Sequence, residues 1–235
     1  MFGLNCSHPI FNFLSLRKKE MKELTLPKIT TDKTVDLDEA EQILENKAEL
    51  QTLEQINWKN YPYKPGVQFR IAHSNNEIWL KFYVQEKHIL AKETKTNGDV
   101  YKDSCVEFFI SFDGTNYYNF EFNGIGTIHL AYGPGRNDRK FVNPGIIHKI
   151  ETKPSLGRLP FEEKTGEFNW ELMVQIPLVC FSFNFIDTLE KVKAQGNFYK
   201  CGDDTSVPHF VTWNPVKTEQ PDYHRPEYFG KIKFD

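Results

Sequence analysis

Tyr101, Glu107, Glu121 and Asn123 are the residues of this chain whose types and spacing could do chemistry. A tyrosine ring can cover the apolar C–H face of a sugar with little side-chain entropy to lose. Carboxylates and an amide can meet the rim of hydroxyls, and hydrogen bonds to a carboxylate are roughly twice as strong as neutral ones. Two glutamates facing each other on neighbouring strands would stand about 5 Å apart at Cβ. That is also the spacing of a retaining glycosidase's carboxyl pair, roughly 5–5.5 Å. Hydrolysis, however, needs carboxylates opposed across a cleft, whereas adjacent strands present them side by side. Each residue has a structural alternative. Tyr101 caps the sheet edge, Glu107 is a solvated or ion-paired strand residue, Glu121 pairs with Arg70 or Lys81, and Asn123 closes the turn at Gly124.

A hairpin must position these groups. Val106, Phe108, Ile110 and Phe112 alternate with Cys105, Glu107, Phe109 and Ser111. In the next run Tyr118, Phe120 and Phe122 alternate with Tyr117, Asn119, Glu121 and Asn123. Strand side chains alternate faces, so both apolar rows share a face only if paired residue numbers sum to an even number. Glu107 then pairs with Glu121 or with Asn123. The connection Asp113-Gly114-Thr115-Asn116 suits a three-residue loop with a bulge.

The rest of the chain supplies the scaffold. Its 235 residues suffice for one large all-β domain, and 20 Phe with 10 Tyr favour strands. A net charge of -3 with no basic stripe gives no footprint for nucleic acid. No apolar run is long enough for a membrane span. The four cysteines (Cys6, Cys105, Cys180, Cys201) show no metal-ligand spacing. They read as free thiols, with a bridge from Cys105 or Cys180 to Cys201 open only in an oxidising compartment. No secretory signal is readable, because Arg17-Lys18-Lys19 follows the apolar stretch rather than preceding it. The default compartment is therefore cytoplasmic, with periplasmic or secreted placement as the alternative if the true start lies elsewhere. Met21 is a candidate start.

Residues 1–34 read as an arm, disordered or loosely packed, and residues 35–235 as the folded domain. Asp36 or Asp38 caps a short helix through Lys47, with Leu37, Ile43 and Leu44 on its apolar side. Alternation predicts strands around Val67–Ala72, Ile78–Gln85, Gly126–Tyr132, Ile146–Glu151, Phe168–Ile176, His209–Trp213 and Gly230–Phe234. Trp170 belongs to a core row, and Trp79 is placed under the helix. The fold class is all-β: an antiparallel β-sandwich with a short N-terminal helix.

Three motifs sharpen this. Val-Tyr-Lys-Asp-Ser-Cys-Val-Glu-Phe-Phe at 100–109, Tyr-Tyr-Asn-Phe-Glu-Phe-Asn at 117–123 and His-Arg-Pro-Glu-Tyr-Phe-Gly at 224–230 resemble the family 9-like carbohydrate-binding modules. The resemblance runs from about Asp36 to Asp235. It implies a β-sandwich and non-catalytic binding of glucans or xylans, with a polysaccharide-degrading enzyme as the partner class. It also implies a sugar clamped between two aromatics. By position these are Tyr101, where the family usually has Trp, and Trp213, whose place before Asn214-Pro215 suggests exposure. Glu107 matches the motif glutamate, and Glu121 and Asn123 match a polar pair whose first member is commonly Arg. No cofactor is required, although structural calcium is frequent in the family. The alternatives are a glycoside hydrolase using Glu107 and Glu121, and a protein-interaction sandwich whose sugar site has decayed.

Overall fold

The computed structural model describes residues 21–31, 35–74 and 76–235. Asn5-Cys6-Ser7, which matches the N-glycosylation pattern Asn-x-Ser, lies outside them. The strands are β1 (Glu23–Leu26), β2 (Gln51–Thr52), β3 (Gln55–Ile56), β4 (Gly66–His73), β5 (Glu77–Ala91), β6 (Cys105–Ser111) and β7 (Tyr117–Asn123). They continue with β8 (Ile128–Gly133), β9 (Lys140–Phe141), β10 (Glu151–Pro154), β11 (Phe161–Pro177), β12 (Lys193–Cys201), β13 (Phe210–Thr212) and β14 (Gly230–Phe234). One sheet has the order β1-β14-β12-β6-β7-β8-β9, with β13 pairing β12 and β3. The other runs β10-β11-β5-β4-β2.

The two sheets close on one core. Val106, Phe108, Ile110, Phe120 and Phe122 meet Phe69, Leu80, Phe82, Trp170 and Leu172. Phe198 of β12 stacks on Phe69 of the facing sheet at 3.9 Å and on Phe108 at 4.8 Å. Each buried Phe contributes about 1.5–3 kcal/mol relative to exposure. The hairpin has the register that alternation demands: Glu107 pairs with Glu121, Phe108 with Phe120 and Val106 with Phe122. Gly114, at φ +74°, supplies the left-handed residue of the loop. Asp113 Oδ1 accepts from the Thr115 and Asn116 amides at 2.7 Å.

Helix α1 (Leu37–Lys47) is capped by Asp36, whose carboxylate accepts from Glu39 N at 2.9 Å. Ala40 and Leu44 pack on Ala72, Trp79 and Met173, on the outer face of the second sheet. Lys81 beneath it is 3% exposed and pairs with Glu41, Glu45 and Glu171 at 2.5–2.9 Å. Lys81 is therefore unavailable to Glu121, which sits on the other sheet.

Three expectations need correction. Within the supposed arm, β1 pairs parallel with β14, and Leu24 and Leu26 are buried. The open edge of β14 offers hydrogen bonds that this segment takes up. Residues 146–151 do not form a strand. Asn143 caps a short helix, α2 (Pro144–Ile147), by accepting from Gly145 N, and β10 begins only at Glu151. A proline at the first helical position is pre-organised for this start. Trp213 is not exposed. It is 1% exposed in the intersheet core, edge-on to Phe198 at 5.6 Å and Phe69 at 6.4 Å. It continues the inward row of Val211, which is fully buried, while its backbone N–H bonds Phe198 O at 2.9 Å.

Candidate functional site

The outer face of the larger sheet carries a second apolar cluster of Trp58, Phe109, Tyr117, Tyr199, Tyr223 and Phe229. Beside it the same face becomes polar. Register places Glu107 on β6, Glu121 on β7 and His129 on β8 in one row across three strands. Asn119 follows Glu121 on that face and pairs with Ala131, which pairs with Phe141 on β9. Rigid strands thus fix each group to within a strand spacing.

Glu107 and Glu121 are 2% and 4% exposed. Glu107 accepts from the Cys201 thiol at 3.1 Å, and Glu121 from the Asn119 amide at 2.7 Å. Among the described residues neither carboxyl has an ion-pair partner. Burial, the facing Glu121 and then Asp203 all push the Glu107 carboxyl well above the usual range, against the thiol hydrogen bond. Asp203, also pushed up by burial and by Asp204, reaches about 6. Glu107 thus favours its protonated form, which can donate as well as accept.

Cations stand near but are otherwise engaged. Arg139 donates to Gly133 O at 2.8 Å, to Tyr117 O and Ala131 O at 3.0 Å, and to Asn119 Oδ1. Its guanidinium lies 4.2 Å over the Tyr117 ring. It therefore orients Asn119, which in turn orients Glu121. Arg136 pairs with Asp222 at 2.8 Å. His224, bonded to Tyr117 Oη at 2.9 Å, is driven down to about 3 by burial and by both arginines, so it is neutral.

Two exposed rings flank this row. Tyr101 is 36% exposed on the 3-10 turn before β6. Its carbonyl holds the Asp203 amide at 3.3 Å, and the charge of Glu121 reaches its phenol. Phe141, 59% exposed at the sheet edge, packs edge-on against His129 at 5.4 Å. Its signal in the sequence was a lone aromatic after the polar run Arg136–Lys140, and it was missed. Asn119 was missed as well, although it shares the alternation of Glu121.

Of the five residues singled out from sequence, three meet here: Tyr101, Glu107 and Glu121. Trp213 lies behind the sheet in the core. Asn123 shares the face but is fully buried and fully used. It donates to Glu93 O at 2.8 Å and Asp103 Oδ2 at 2.9 Å, and accepts from Thr127 N at 2.9 Å. Closing that loop uses both of its amide hydrogens and its oxygen, and full burial keeps the side chain from a ligand. The three described cysteines are free thiols. Among the described residues no helix is long and apolar enough to cross a membrane.

The fold and these motifs have counterparts. No curated protein matches the chain. A "putative carbohydrate-binding protein" from Bacteroides uniformis is 38% identical, with TM-score 0.88 over 92% of this chain and 100% of that one. A family 9 carbohydrate-binding module from Caldicellulosiruptor kristjanssonii, solved with glucose, has TM-score 0.58 at 15% identity, over 91% of this chain and 96% of that one. The same module with cellotriose gives the same score and identity, over 91% and 93%. At that identity the likeness shows a shared sandwich and no more. The profile of carbohydrate-binding family 9 matches residues 38–234, and the chain belongs to that family.

Proposed function

We infer that this protein is a non-catalytic module that binds a glucan- or xylan-type saccharide on the outer face of the larger sheet. One observation carries the placement. Glu107 and Glu121 face each other, nearly buried and, among the described residues, without ion pairs, and the exposed rings of Tyr101 and Phe141 stand near their row. A pyranose laid along the row would set its C–H face on a ring and its hydroxyls on the two carboxyls and the Asn119–Arg139 pair. Desolvating such carboxyls is costly unless a ligand supplies donors, and sugar hydroxyls do so.

The side-by-side carboxyls favour binding over hydrolysis. They rise from adjacent strands in one direction, whereas a glycosidase pair must flank the scissile bond. The solved neighbour complexes with glucose and cellotriose support a gluco-configured ligand. Isothermal titration against glucose, cellotriose and xylotriose tests the reading. Saturable 1:1 heat with at least one of them is expected, and silence across the whole panel would refute it. Release of sugar from aryl glycosides, lost in Glu107→Gln, would replace it with the hydrolase.

A further inference from the structure

Cys105 and Cys201 lie far apart in the chain, yet β6 and β12 pair them directly across the sheet. Glu107 is the next residue on the same face of β6. The two sulfurs and one Glu107 oxygen all lie within 4.8 Å of one another, and all three residues are buried. Cys201 Sγ is 3.1 Å from Glu107 Oε1 and 3.4 Å from Tyr101 O.

We propose that Cys105, Cys201 and Glu107 bind a zinc-class divalent cation beneath the sugar-binding face, with water in the fourth position. In a tetrahedral site built at Zn–S about 2.3 Å and Zn–O about 2.1 Å, donor atoms stand roughly 3.6–3.8 Å apart. The Cys201–Glu107 pair, at 3.1 Å, must open by about 0.5 Å, and the other pairs, within 4.8 Å, must close by at most about 1 Å. Two thiolates select zinc, cobalt or cadmium over calcium and magnesium, which take oxygen ligands. The strands hold both sulfurs in register, so the site needs little ordering on binding.

The exchange balances as a proton release. One divalent cation replaces the two thiol protons and the carboxyl proton, giving a complex of net charge -1 and three free protons. Arg136 already attracts Glu107 and Asp203 electrostatically, which favours that product. Metal binding also relieves the crowding of Glu107, Glu121 and Asp203, for which the described residues provide no ion pair. The rival chemistry is a cross-strand disulfide, since opposed strand positions fall within disulfide reach. It would remove the thiol proton that Glu107 now accepts and leave a buried carboxyl unsatisfied.

The test is a Co²⁺ titration of the reduced, chelator-stripped full chain. The expected result is a sulfur-to-cobalt charge-transfer band that saturates at one equivalent and is displaced by Zn²⁺. Cys105→Ser and Cys201→Ser should each lose the band, and Cys180→Ser should keep it. X-ray absorption on the wild-type zinc form avoids reliance on variants and should show two sulfur neighbours at about 2.3 Å. No band in excess Co²⁺, a band that survives both serine variants, or a 105–201 disulfide in protein purified without reductant would each overturn the proposal. Sugar titration reads separately, so a failed metal site leaves the binding function standing.

Discussion

Lys200 and Cys201 are neighbours on β12, and they point into two buried polar clusters of opposite character. On the inner face, Lys200 Nζ meets Glu86 Oε2 and His209 Nε2, both at 2.8 Å. The Trp170 indole donates to Glu86 Oε1 at 2.7 Å. Lys200, Glu86 and His209 have no exposed side-chain surface. On the outer face, Glu107, Glu121 and Asp203 crowd together with no ion pair among the described residues. The inner cluster is closed: its charges are matched inside the fold, and a ligand could add nothing. The outer cluster is left short of donors and positive charge, which is the condition of a surface that expects a ligand. One strand thus separates a structural network from the proposed binding face by the parity of a single residue.

The inner network should be the more fragile in folding. Lys200→Met leaves Glu86 buried without its cation, and should cost about 3–5 kcal/mol in urea unfolding. Adding Glu86→Leu to that variant should restore much of the loss. Acid should act on the same pair. Burial alone would raise the Glu86 carboxyl, but Lys200 and His209 hold it at about 2. A carboxyl lowered on folding contributes stability that is full above its unfolded value and fades as pH falls towards the folded one. From 4.5 to about 2 this is worth about 3 kcal/mol, lost across that window in pH-dependent unfolding.

The outer cluster should respond in the opposite way. Glu107→Gln or Glu121→Gln removes a crowded carboxyl, so unfolding free energy should hold within about 1 kcal/mol or rise. Sugar affinity should fall by about 10- to 100-fold, because a polar group left unsatisfied in this buried row costs about 1–3 kcal/mol. Destabilisation as large as that of Lys200→Met would erase the contrast between the faces. The smallest effect belongs to the rim. Phe141→Ala should weaken cellotriose binding by about 3- to 10-fold, in line with aromatic contacts of about 0.5–1.5 kcal/mol, and leave the melting temperature unchanged.

Some of this was legible before any coordinates. Two apolar rows of period two fixed the hairpin register, and with it the meeting of Glu107 and Glu121. Asp36 and the spacing of Leu37, Ile43 and Leu44 marked α1. By contrast, the central strand β12 went unread. Its inward row runs Ala194, Gly196, Phe198 and Lys200, so glycine and lysine replace the expected apolar residues. Gly196 is there because a Cβ would come within 2.5 Å of Phe109 O. Lys200 is tolerated because Glu86 reaches it from the facing sheet. Neither cause is local. The same long-range pairing brings Cys105 to Cys201, a meeting that chain spacing cannot show. Trp213 was misplaced because Asn214-Pro215 suggests a loop, while the alternation with Val211 sends the ring inward.

Sugar binding on the outer face is tested most directly by a crystal soaked with cellotriose. A glucosyl ring should appear beside Tyr101 or Phe141, with hydroxyls within hydrogen-bond distance of Glu107 and Glu121. A well-ordered sugar bound elsewhere, with both glutamates untouched, would contradict it.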